Sequence, residues 1–318
     1  MEEQTAPRID RRPIPQSQRM VSTLAISVDP PAVAPPSADA RSIALLRRAR
    51  ERGVTTFDVA RARFTDRAER MLATAFPSPD PELGVIVGRS VDTLASERDL
   101  HGNPLGAPDL TGLLRESLAQ SRRRLGPLAV SIVEWDSTSG ETTTGEADPP
   151  MPPPLDVLGA DLAWSIRIPS RINSLPGVGA TRPLYTGELS LLNDQVVRLF
   201  EQAEGGPSSA LIARDPFSGG RLDGSRFAAA SVPGGPGGRP VDVRRLHQEF
   251  DPILRLGFLT KHRRRTLSQA ALRFVVAWPW VATVVIPLPT PERFDEVLGF
   301  GSSPPLDTEE WAQLGFVK

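Results

Sequence analysis

The chain has 318 residues, a formal net charge of −1 and no cysteine. That length suits one α/β barrel, and near-neutrality supplies no field to gather nucleic acid or an anionic membrane. The absence of thiols excludes disulfides, thiolate nucleophiles and cysteine-held zinc, which fits a cytoplasmic protein.

Residues 1–20 are polar, carry several prolines and contain no apolar signal-like run. They read as a flexible N-terminal tail without a signal peptide, ahead of a single domain over 21–318. Short apolar runs then mark strands at Val21–Val28, Thr55–Val59, Leu83–Val87, Ala129–Trp135, Ala163–Ile168, Leu184–Leu189, Ala210–Ala213 and Thr283–Pro287. Amphipathic stretches between them predict helices at Ser37–Arg52, Leu110–Leu125, Asn193–Glu204 and Leu267–Trp278. Alternating β and α units imply parallel strands, and eight strands imply a closed (β/α)8 TIM barrel with its working groups at the C-terminal strand ends. Pro-rich segments at Pro30–Ser37 and Ser137–Pro154, and the Gly/Pro stretch Ala228–Pro240, read as surface loops, with a lid for at least one of them as the alternative. No apolar run approaches the ~20 residues needed to span a bilayer.

Nearly all the basic residues are arginine; lysine occurs at Lys261 and Lys318 alone, and Tyr185 is the single tyrosine. This usage reflects a GC-rich genome, read here as bacterial. His101, His247 and His262 share no ligand spacing, so no metal site is expected. The Arg263-Arg264-Arg265 cluster reads as a solvated surface rather than a nucleic-acid patch. Phe274–Trp280 reads as core, with Pro279 stopping its helix.

Four stretches resemble the aldo/keto reductase superfamily, over roughly residues 21 to 318. Gly53-Val54-Thr55-Thr56-Phe57-Asp58-Val59-Ala60, followed by Ala68-Glu69-Arg70-Met71-Leu72, is similar to the family's "G-hydrophobic-x-x-F-D-T-A" and "S-E-x-x-L". Ala213-Arg214-Asp215-Pro216-Phe217-Ser218-Gly219-Gly220-Arg221-Leu222-Asp223-Gly224 is similar to "A-Y-S-P-L-x-x-G-x-L-T-G". Ser268–Phe274 with Val284–Pro287 is similar to the close of the barrel, and Leu306–Glu310 to the opening of the last helix.

The resemblance implies hydride transfer from NADP to a carbonyl, with a tyrosine acid tuned by a lysine, an aspartate that pairs the lysine, and a histidine that orients the carbonyl. Carried onto this chain, Asp58 matches. The tyrosine position is Arg63, the lysine position Arg89 and the histidine position Glu134. An arginine, with its pKa above ~12, is a poor proton donor. The cofactor positions are substituted as well. Arg214 stands where an aromatic stacks on the nicotinamide, Ser170-Arg171 where a Ser-Asn pair is expected, and Val297 where an Asn contacts the adenine. Asp215, the Ser218-Gly219-Gly220 turn and Arg293 remain as candidate phosphate contacts. NADP is therefore possible but doubtful.

The strand ends present Asp58, Arg63, Arg89, Glu134, Asp136, Arg171, Arg214 and Asp215. Ion pairs filling a vacated pocket, arginine forks recognising a small anionic metabolite, and carboxylate acid/base chemistry all accord with this ring. The expected function is a non-reducing barrel that binds a small anionic metabolite or performs redox-neutral chemistry. The alternatives are a divergent NADP-dependent oxidoreductase and a structural or regulatory partner. Arg89 is the expected partner of Asp58.

Overall fold

The computed structural model describes residues 9–15, 17–90, 107–136, 162–168, 175, 183–202, 209–226 and 250–316. The Pro- and Gly-rich loops at 137–154 and 228–240 lie outside them, as do Ser170, Arg171, His101 and His247.

Eight parallel strands close into a barrel in sequence order: β3 (Leu24–Ser27), β4 (Thr56–Asp58), β5 (Gly84–Ser90), β6 (Ala129–Asp136), β7 (Ala163–Arg167), β8 (Leu184–Glu188), β9 (Ala210–Arg214) and β10 (Val281–Pro287). Each coincides with an expected strand to within a few residues. Helices α1 (Pro36–Glu51), α2 (Thr65–Ala75), α3 (Ala107–Leu125), α4 (Gln195–Gln202), α5 (Leu267–Val276), α6 (Pro291–Leu298) and α7 (Thr308–Gln313) accompany them. Two starts are written in the chain as capping boxes, Thr266 with Gln269 for α5 and Asp307 with Glu310 for α7. Trp278 and Trp280 are buried beyond the end of α5, as expected of core.

The expected tail and the expected first strand need correction. Val21–Val28 is two strands, divided at Thr23, and its first part pairs backwards with residues assigned to the tail. β1 (Arg11–Pro13) and β2 (Met20–Ser22) form an antiparallel hairpin, Arg11 opposite Ser22 and Pro13 opposite Met20. Ile14 and Val21 are buried in the cluster that fills the barrel, with Ala25, Ile86, Ile132 and Ile212. The Arg12 guanidinium donates to the carbonyls of Val276 and Trp278, acceptors left over at and just beyond the C-terminal end of α5, and to that of Val281 at the start of β10. Burial of two apolar side chains and the hydrogen bonds of one part-buried guanidinium, not composition, make this segment part of the fold.

Side chains alternate across the pleat. Phe57, Val85, Val87, Val133, Trp135, Tyr185 and Ala213 face the helices, so their neighbours Asp58, Ile86, Gly88, Glu134, Thr186 and Arg214 face the axis. Tyr185 packs edge-on against Phe200 of α4, on the outer wall of the barrel.

Candidate functional site: a buried Asp–Arg–Glu cluster at the barrel mouth

Asp58, Arg89, Glu134 and Arg214 all lie at the C-terminal rim, where Asp58 is level with Ile86 and Glu134 with Gly88. Arg214 reaches inward from the end of β9 and fills the middle. Its Nη1 and Nη2 donate to the two oxygens of Asp58 at 3.0 and 2.7 Å, a bidentate fork. Its Nε and Nη2 donate to Glu134 Oε2 at 2.9 and 2.5 Å. Asp58, Glu134 and Arg214 are all buried. Burial alone would lower the Arg214 pKa, but the charges of Asp58 and Glu134 outweigh it and push it up. The guanidinium is permanently charged and commits four of its five N–H donors to protein carboxylates.

Arg61, from the turn after β4, donates through Nε to Glu134 Oε1 at 3.1 Å, so both Glu134 oxygens are taken. Burial lowers the Arg61 pKa; Glu134 opposes that, and the nearby Arg214 and Arg167 add to it. Arg167, at the end of β7, is ion-paired with Asp136 at the end of β6. The side chains of Arg61 and Arg167 each remain about one-third exposed, at 33% and 34%.

The architecture is matched closely in overall path by solved structures. An aldo-keto reductase AKR11C1 from Bacillus halodurans, in its holo form, superposes with a TM-score of 0.62 at 17% identity, covering 96% of this chain and 95% of that one. The glycerol dehydrogenase AKR11B4 from Gluconobacter oxydans gives 0.64 at 14% identity, covering 96% and 94%. A thermostable aldo-keto reductase, Tm1743, solved with the inhibitor epalrestat, gives 0.63 at 15% identity, covering 96% and 98%. The fold is that of the aldo/keto reductases. No protein-family model matches the chain, and no curated protein matches it.

Within that aldo/keto reductase fold, two tetrad positions taken from the sequence do not join the site. Arg89 is not the partner of Asp58. It faces outward, where its Nη2 donates to the Ser117 carbonyl at 3.1 Å and to Ser121 Oγ at 2.5 Å on α3. The inward position beside it is Gly88, and a Cβ there would stand 2.1 Å from the carbonyl oxygen of Ala60. The backbone after β4 thus lies against the inner face of β5, leaving no space for an inward side chain. Arg63 is also elsewhere: it is mostly exposed and pairs with Asp29 at 3.3 Å. The cation beside Asp58 comes instead from across the barrel.

The remaining candidate positions are occupied by contacts within the chain. Asp215 and Ser218 adopt positive φ, 50° and 51°, and the Asp215 carboxylate accepts from the Gly219 N–H at 2.7 Å. Ser218 Oγ lies 2.6 Å from Ser190 Oγ. Partial desolvation raises the Asp215 pKa, with Glu188 and Asp223 adding to it and the Gly219 N–H opposing. Gly220 is enclosed, since a Cβ would meet Ser225 Oγ at 2.4 Å. Arg293 is bonded to Asp223, to Ser268 Oγ at 2.6 Å and to Glu296. Val297 is buried in the core. Among the described residues no group of three or more His, Cys, Asp or Glu side chains is placed to hold a metal, and no helix is long and apolar enough to cross a membrane.

Sequence reasoning missed Arg61, Arg167 and Glu188. The signal was present for the last two: counting by twos from Ala163 and Leu184 puts Arg167 and Glu188 on the inward face at the strand ends.

Proposed function

We propose that this aldo/keto reductase-fold protein does not reduce carbonyls and instead binds a small, carboxylate-bearing molecule at the mouth of the barrel. The observation that carries the reading is Arg214. It stands where an aromatic would stack on a nicotinamide, and it is held in place by Asp58 and Glu134. Hydride transfer to a carbonyl needs an acid beside the nascent oxyanion. Among the described residues, the groups joined to Asp58 through this cluster are two guanidiniums, Arg214 on Asp58 itself and Arg61 on Glu134, which do not give up protons at ordinary pH, and a glutamate with both oxygens accepting hydrogen bonds.

The described residues do not fit a nicotinamide dinucleotide. A stacked ring would have to displace a buried, doubly ion-paired arginine. A phosphate on the Ser218-Gly219-Gly220 turn would meet the Asp215 carboxylate at the Gly219 N–H. The adenine position offers the apolar, buried Val297. The fold likeness favours the second reading, a divergent NADP-dependent oxidoreductase. A fluorescence titration of the tryptophans with NADPH separates the two. No saturable quenching below high-micromolar concentration is expected, because each lost contact is worth about 1–3 kcal/mol. Saturation at low-micromolar NADPH would favour the second reading.

A further inference from the structure

At the end of the barrel opposite the mouth, the first residues of β4, β5 and β6 stand level with one another, Thr56 beside Gly84 and Gly84 beside Ala129. None is bulky, and Gly84 has no room to be larger, since a Cβ there would meet Ser131 Oγ at 2.5 Å. The hairpin of β1 and β2 passes alongside without filling the space they leave. A recess of about 530 Å³ opens there to solvent, bounded by the hairpin turn and by the loops that lead into β5 and β6. That volume lies within the range of small-molecule sites.

Much of the accessible wall is apolar. Met20 is 47% exposed, and Pro79, Pro81 and Pro127 are exposed as well. Proline rings offer contact area with no side-chain entropy to lose, and a thioether packs favourably against an aromatic ring.

The charges decide what else a ligand must carry. Glu82 accepts from Arg11 and from Arg50, each at 2.7 Å, and Asp80 pairs with Arg50 at 2.9 Å. Two carboxylates are thus balanced by two guanidiniums. Arg19 also lines the recess, and among the described residues its guanidinium makes no hydrogen bond or ion pair. Its backbone is fixed all the same: the N–H donates to Ser17 Oγ at 3.1 Å, and the carbonyl accepts from the Ile14 N–H at 3.0 Å. The recess therefore carries one positive charge beyond balance, on a planar fork suited to a carboxylate.

We propose that this recess is a second ligand site, which binds a small aromatic carboxylate with its charge on Arg19 and its ring against Met20 and the prolines. An inorganic anion would leave the apolar wall unused, and a neutral ring would leave Arg19 without a partner. The assignment does not depend on what the mouth binds, because the lining residues include no member of the cluster around Arg214.

The test is calorimetric titration of the full chain with 3-phenylpropanoate, 3-phenylpropanamide and inorganic phosphate. The carboxylate should bind, with the amide and phosphate each weaker by about tenfold or more. Arg19→Gln should weaken the carboxylate by about tenfold or more and leave the thermal melt unchanged, since that guanidinium holds nothing else in place. Arg61→Gln, at the mouth, should leave the binding as it was. No saturable heat from 3-phenylpropanoate at about 10 mM, equal binding of acid and amide, phosphate binding as tightly as the acid, or full binding by Arg19→Gln would overturn the assignment. Binding lost in Arg61→Gln and kept in Arg19→Gln would put the carboxylate at the mouth, which removes this site and leaves the mouth reading standing.

Discussion

Arg214→Met isolates the energetics of the mouth, because methionine keeps much of the side-chain length and removes the charge. Asp58 is fully buried, and after the substitution its remaining donor among the described residues is a weak contact from the Ala60 N–H at 3.4 Å. Glu134 fares better, since Arg61 still reaches its Oε1 at 3.1 Å. Most of the loss should therefore arise at Asp58. Removing one member of a buried ion pair costs about 3–5 kcal/mol, and we expect a loss in that range. Asp58→Asn alone should cost less, about 1–3 kcal/mol, because Glu134 continues to neutralise Arg214. Combining the two should return part of the loss, since the double variant no longer buries a lone carboxylate; the cycle should be non-additive by about 1–3 kcal/mol. Urea unfolding followed in parallel by tryptophan fluorescence and circular dichroism measures all three differences. An Arg214→Met protein within about 1 kcal/mol of the parent, or a strictly additive cycle, would refute the cluster as the mouth's organising contact.

Gly88→Ala should destabilise by about 1–3 kcal/mol, since its Cβ would stand 2.1 Å from the Ala60 carbonyl oxygen and backbone does not yield easily. A thermal melt unchanged by this substitution would mean that the chain after β4 does not lie against β5. Glu82 is held down to about 2 by hydrogen bonds from Arg11 and Arg50. Its folded pKa is depressed, so its contribution to stability is present above the ordinary carboxylate range and is lost as pH falls through about 2. Melting profiles against pH should therefore be shallower on the acid side for Glu82→Gln, and profiles parallel to the parent would count against the pairing.

The barrel was legible because eight apolar runs and their intervening amphipathic stretches are locally consistent, and the capping boxes at Thr266 and Asp307 announce two helices outright. The hairpin was not, because Arg11–Pro13 and Met20–Ser22 have no alternation strong enough to outweigh their polarity; what recruits them is the open barrel end that Ile14 and Val21 fill. The site was half legible. Asp58 and Glu134 were placed correctly at the mouth, as was Arg214. Arg89 was misread because Val85-Ile86-Val87 is buried on both faces, so its sequence carries no alternation to say which way the following residues point. A parallel strand of this kind yields its facing only through register with a neighbour. Arg61 escaped because it sits on a turn, where neither period applies.

Steady-state NADPH oxidation by the unaltered protein, against a panel of aldehydes and ketones, tests the central claim most directly. With Arg214 locked between Asp58 and Glu134 and no proton donor beside it among the described residues, the rate should not rise above that of buffer with any carbonyl. Substrate-dependent oxidation of NADPH that disappears on heat denaturation, and that saturates with the carbonyl, would contradict it.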